Sequence, residues 1–216
     1  REITVGDARR FDSHGHGKHS KAHQRTLNRY AKQAFQYAQD HKWIESNPFN
    51  KVKTSALAGT RDHFVDSEQI ASIIKQCKDP DLKLVIALAR YAGLRVPSEV
   101  QTLTWSDVRL DGERHMIQVA HHKTKARKVP ILPELKVLLD ARKPAEGGGK
   151  VIMGSCANLR REFASLLESI KVKPWPKLFQ TLRQSCENDL VRRGFNASTV
   201  ANWMGHSVKV AQEHYM

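Results

Sequence analysis

A chain of 216 residues with 36 Lys and Arg against 22 Asp and Glu carries a formal charge of +14, which predicts attraction to a polyanion on a domain large enough to bury a real core. Charge alone leaves nucleic acid and an anionic membrane surface both open. Insertion into a bilayer is disfavoured, because the best apolar stretch, Leu84 to Leu94, is broken by Arg90 and Gly93 and falls short of the roughly 20 residues a spanning helix needs.

In chain order, Thr4 to Phe11 suggests a short helix. Ser20 to Ile44 reads as a long one, with Leu27, Ala31, Ala34, Phe35 and Ala38 forming an apolar stripe. Asn47-Pro48 stops it, since a residue before proline avoids the helical region. His14, His16, His19 and His23 lie in a Gly/Ser/Lys stretch without cysteines, which fits an inter-helix loop better than a metal site. Residues 51–63 show no period and read as a linker, so the expected organisation is a helical segment over 1–50 and a second domain over 64–216. That domain opens with Asp66 and Gln69 in capping-box spacing, then Asp79-Pro80 before a helix carrying Leu84, Val85, Leu88 and Tyr91, ended by Gly93. Met116–Ala120 and Lys128–Ile131 are short β-patterned runs around a basic connection, His121 to Arg127. Helical patterns return over Pro133–Arg142, Asn158–Ile170, Lys177–Arg193, from Ser198 to Gly205, and from about Ser207 onward. The fold class expected is mostly α with a small antiparallel β-sheet. Trp43, Trp105, Trp175 and Trp203 are expected in packing, and Cys186 in the core. The three cysteines, Cys77, Cys156 and Cys186, form no CxxC pair and fit free thiols in a reducing cytoplasm.

Cleaving a phosphodiester without a metal needs fixed cations on the non-bridging oxygens, a nucleophile in line with the leaving oxygen, and a proton donor for that oxygen. Candidates are scattered along the chain. Arg95 follows Gly93-Leu94 and precedes an expected helix start at Pro97. Lys123 sits in the basic connection. Gln180 and Arg183 are one helical turn apart. Trp203-Met204-Gly205-His206-Ser207 and Glu213-His214-Tyr215 follow.

This order (GLR, a Lys in a KT context, xxLR, GHS and a late Tyr) resembles the catalytic domain of tyrosine recombinases, the phage integrase family. Leu103 to Val108 and Lys128-Val129-Pro130-Ile131 are similar to family stretches. So is Phe35 to Phe49, near the end of the family's core-binding domain. The resemblance implies a site-specific recombinase that cuts double-stranded DNA, forms a 3′-phosphotyrosyl link at Tyr215 and reseals with another strand, working as a homo-tetramer on DNA with no cofactor or metal. It implies that Arg95 and Arg183 clamp the phosphate, Lys123 protonates the 5′ oxygen, and His206 hydrogen-bonds the phosphate. It also implies that the chain is part of a longer protein. A type IB topoisomerase and a catalytically silent DNA-binding relative are the alternatives.

Two departures stand out. The family usually has His where this chain has Gln180, and an amide cannot shuttle a proton near neutral pH. Arg95 and Glu99 are one residue further apart than the usual Arg-x-x-Glu, which leaves the supporting role of Glu99 open.

Overall fold

Ser20 stands just ahead of the long helical pattern, and in the computed structural model its hydroxyl accepts a hydrogen bond from the His23 amide at 3.2 Å, capping α2 (Lys21–Asp40). The structure describes residues 3–15, 17–52, 63–120, 126–145 and 148–206. The chain divides into two compact units, Arg1–Thr60 and Arg61–Met216.

In the first unit, α1 (Val5–Gly15) is longer than expected and takes His14 into a helix rather than a loop. α2 stops at Asp40 instead of Ile44, because Lys42 turns to a positive φ of 59°. The buried stripe of α2 also differs from the expected one. Its most buried members are Gln24 and Asn28, while Ala34 is exposed. The reason is what α1 offers them. Gln24 Nε2 donates to the Phe11 carbonyl at 3.3 Å, and Asn28 Nδ2 donates to Asp12 at 2.6 Å. Phe49, in the short 3-10 turn Pro48–Lys51, packs its ring against Phe11 and Phe35. Trp43, expected in packing, is 70% exposed.

In the second unit, the Asp66 carboxylate accepts from the Gln69 amide at 2.7 Å and starts α3 (Ser67–Gln76). Asp79 takes the Asp81 and Leu82 amides and starts α4 (Pro80–Tyr91). The expected apolar face of α4 proves to be almost the whole helix. Every residue from Leu84 to Tyr91 is buried, so α4 is the central post, touched by α3, α5 (Pro133–Asp140), α6 (Leu159–Ser169) and α7 (Leu178–Arg192). Even Arg90 is buried there. Its Nε donates to the Val65 carbonyl at 3.1 Å, and its guanidinium pairs with Asp189 of α7. A charge at this depth is tolerated only when paired in this way.

The β insert is a three-stranded antiparallel sheet in the order β1 (Val108–Arg109), β2 (Met116–Val119), β3 (Arg127–Pro130). β1 is an addition to the two expected strands, and β3 starts at Arg127 rather than Lys128. Pairing puts Val119 opposite Arg127 and Ile117 opposite Val129. The strand period of two then turns Arg127 and Val129 to the same buried face. α8 (Ala197–Met204) ends the described chain, capped by Asn196 at its start and by Gly205 at φ 68°. The helix expected from Ser207 lies outside the described residues. Trp175 is buried, and Trp105 and Trp203 are half-buried. Among the described residues no helix is long and apolar enough to cross a membrane.

Candidate active site

Two glycine turns frame the site. Gly93 leaves α4 with φ 60°, and the Leu94 amide bonds back to the Leu88 carbonyl at 3.2 Å, a helix-ending turn that glycine adopts without strain. A Cβ at position 93 would lie 2.6 Å from Met204 Sδ, so the end of the buried Met204 side chain would have to shift to admit one. Gly205 ends α8 in the same left-handed conformation, and the His206 amide returns to the Ala201 carbonyl at 3.1 Å. The two turns thus lie against each other, one delivering Arg95 and the other His206.

Arg95 is half-buried and held twice by Glu99. Its amide donates to Oε2 at 2.8 Å, and its Nη1 donates to Oε1 at 2.6 Å. Residues 96–102 form successive turns rather than the helix expected from Pro97, with the Glu99 amide bonded to the Arg95 carbonyl at 2.9 Å. This winding returns the Glu99 carboxylate to Arg95 despite the extra residue, which settles the geometric question that the spacing left open. Arg95 Nη2 donates to the Gly205 carbonyl at 2.9 Å.

Glu99 is itself gripped by Arg127. Nη1 and Nη2 donate to its two oxygens at 2.8 and 2.7 Å, and Nε donates to the Trp203 carbonyl at 2.7 Å. Burial alone would raise the Glu99 carboxyl pKa. The hydrogen bonds from Arg127 and Arg95 and their charges outweigh burial and hold it down at about 2.

Arg183, on α7, donates to the Gly93 and Met204 carbonyls and so ties the two glycine turns together. Burial, then the neighbouring charges of Arg95 and Arg127, lower its pKa to about 10, which still leaves it a cation at neutral pH. Three arginines around one turn repel each other, and an anion bound there would relieve that repulsion. His206 Nε2 lies 2.5 Å from Glu187 Oε1, a buried carboxylate on α7.

The structure therefore brings Arg95, Arg183 and His206 to one turn. Gln180 is exposed one helical turn before Arg183, lining a groove with Val96, Pro97, Leu159 and Arg160. Lys123 and Tyr215 lie outside the described residues. Two members of the cluster, Arg127 and Glu187, belong to no motif of the sequence. Arg127 ends the basic connection, yet it alternates with Val129 and Ile131, a period that marks an inward residue. Glu187 falls at i+7 from Gln180 and i+4 from Arg183, on the same helical face, and that spacing was the available signal. Cys186 is buried beside them, and burial pushes its thiol up to about 12. Among the described residues no group of three or more His, Cys, Asp or Glu is placed to hold a metal ion.

The sequence profile of the phage integrase family matches residues 63–216, and the chain belongs to that family. A tyrosine recombinase of Thermosipho africanus is 27% identical over 84% of this chain and 68% of its own length. Among solved structures, the Tn1549 transposon integrase in complex with circular intermediate DNA superposes with a TM-score of 0.76 at 19% identity, covering 100% of this chain and 81% of that one. A lambda integrase tetramer bound to a Holliday junction gives a TM-score of 0.76 at 18% identity, covering 95% of this chain and 65% of that one. At such identities these two likenesses concern the fold.

Proposed function

We propose that this chain is the DNA-cutting and rejoining part of a site-specific tyrosine recombinase. The observation that carries the reading is the convergence of Arg95, Arg183 and His206 on the turn that closes α8, in a chain of the phage integrase family. Each arginine is locked by one set of bonds, so its remaining donors are aimed without a large loss of side-chain freedom. In this reading the two guanidinium groups bind the non-bridging oxygens of the scissile phosphate, and His206 lies beside it. Tyr215 attacks the phosphorus to give a 3′-phosphotyrosine, and Lys123 protonates the departing 5′ oxygen. A 5′-hydroxyl from another strand reverses the steps, so the bond energy is kept and no cofactor is consumed. Gln180 contributes a hydrogen bond rather than a proton. Residues 1–50 form part of a core-binding domain that grips double-stranded DNA, and four copies assemble on the DNA during exchange.

The test is covalent trapping on nicked DNA spanning the attachment site. Wild type should form a denaturation-resistant adduct, and Tyr215→Phe should bind DNA without forming one. A normal adduct yield from Tyr215→Phe would refute the assignment of the nucleophile, and relaxation of supercoiled DNA without strand exchange would favour a topoisomerase.

A further inference from the structure

We propose that Arg127 is a positioning residue for the phosphate site: without reaching DNA itself, it braces Arg95 through Glu99 and holds the closing turn of α8, on which Arg95 and Arg183 also rest. The inference depends on the recombinase reading above.

Arg127 is built into the fold rather than presented to solvent. Its side chain is 3% exposed, against 29% for Arg95. All three guanidinium nitrogens donate inside the protein. Nη1 and Nη2 reach the two oxygens of Glu99 at 2.8 and 2.7 Å, and Nε reaches the Trp203 carbonyl at 2.7 Å. At that depth the group presents no face to a phosphate. The strand puts it there: Arg127 pairs opposite Val119, shares the inward face of β3 with Val129, and β3 packs against α8.

The closing turn of α8 supplies a second observation. Three consecutive carbonyls are each taken by a different arginine: Trp203 accepts from Arg127, Met204 from Arg183 and Gly205 from Arg95. The last carbonyls of a helix find no partner within it and carry its negative partial charge, so cations settle there. One turn of backbone thereby sets the spacing of the two arginines that bind phosphate. Arg127 lies directly against that turn. A Cβ on Gly205 would fall 3.0 Å from Arg127 Cδ and 3.2 Å from its Nε.

Charge explains why a second cation is needed behind the first. Glu99 holds Arg95 by the amide at 2.8 Å and by Nη1 at 2.6 Å. A buried carboxylate paired with Arg95 alone would cancel the charge that attracts a phosphate. Arg127 engages both oxygens of Glu99 and supplies the countercharge, so Arg95 is held in place while the site stays positive. A planar fork makes these bonds and the bond to Trp203 together, which the single ammonium of a lysine does not.

Single-turnover cleavage of nicked DNA by the full chain reads the effect, at saturating DNA and at a temperature where each variant is folded. Arg127→Met should slow cleavage about 10²-fold, the cost of misplacing a reacting group by about 1 Å. DNA affinity and its salt dependence should stay unchanged, because no phosphate contact is lost. Arg127→Lys keeps the buried charge without the fork. It should retain most of the stability in urea and still cleave about 10-fold more slowly than wild type. A cycle with Arg95→Ala separates positioning from stability alone. Because Arg127 acts largely through Arg95, adding Arg127→Met to Arg95→Ala should slow cleavage by less than about 10-fold more. Losses that multiply in full, or Arg127→Lys cleaving as fast as wild type, would overturn the inference and leave Arg127 a stabilising charge. Weaker DNA binding with a shallower salt slope would overturn it too, by making Arg127 a phosphate contact. Failure of wild type to form a Tyr215-dependent adduct would overturn the recombinase reading and this inference with it, whereas a normal wild-type adduct with fully multiplying losses would overturn this inference alone.

Discussion

Arg127→Met replaces a buried guanidinium with an apolar chain of similar length, and its effect follows from what Glu99 keeps. Arg127 and Glu99 side chains are 3% and 5% exposed. The change removes two hydrogen bonds to the carboxylate and one to the Trp203 carbonyl. Removing one partner of a buried ion pair costs about 3–5 kcal/mol, because the other charge stays desolvated. Arg95 continues to hold Glu99 at 2.6 Å, which places the expected loss near the lower end, about 3 kcal/mol, against a total stability of about 5–15 kcal/mol. The loss should depend on pH in a definite direction. Glu99 has a folded pKa depressed to about 2, so its stabilisation is present above the ordinary carboxyl range and is lost as pH falls through the folded value. The variant lacks most of that stabilisation at every pH. The gap between wild type and variant should therefore be widest at pH 7 and narrow below about pH 4.5, the ordinary range for a glutamate. Urea denaturation at pH 7 and pH 3.5 measures both values. A gap under about 1 kcal/mol at pH 7, or an equal gap at the two pH values, would refute the reasoning. Cleavage should fall as well, because Arg95 loses a rigid carboxylate behind it.

Three further outcomes are expected. Lys123→Ala should slow cleavage by about 10²–10⁴-fold, and a substrate with a 5′-bridging sulfur, which needs no proton donor, should restore it to Lys123→Ala but not to Tyr215→Phe; equal defects on both substrates would reduce Lys123 to a DNA contact. Gly93→Ala forces a Cβ to within 2.6 Å of Met204 Sδ at a positive φ, so thermal denaturation should show a loss of about 1–3 kcal/mol, together with weaker cleavage as the Arg183 anchor shifts. DNA affinity should fall linearly with log salt, with a slope of about −0.9 per phosphate neutralised, and EDTA should leave cleavage intact; salt-independent binding would contradict a contact dominated by the +14 charge.

The sequence by itself determined what depends on near neighbours. Asp66 and Asp79 start their helices, Gly93 and Gly205 end theirs, and the alternation around residues 116–131 makes strands. These features are set by capping, left-handed turns and side-chain period, each acting within a few residues. Arg95, Arg183 and His206 are legible for another reason, the order of the short motifs that hold them, which resembles the phage integrase family. The second layer was decided only by tertiary structure. Arg127 reaches Glu99 across 28 positions of sequence, and His206 reaches Glu187 across 19. No local rule says which carboxylate a given cation will meet. Strand pairing chose the first contact by turning Arg127 inward opposite Val119, and the packing of α8 beside α7 chose the second. In water each of these charges is well solvated. Only the burial of β3, α7 and the turn after α4 makes an unpaired charge expensive enough to select one partner.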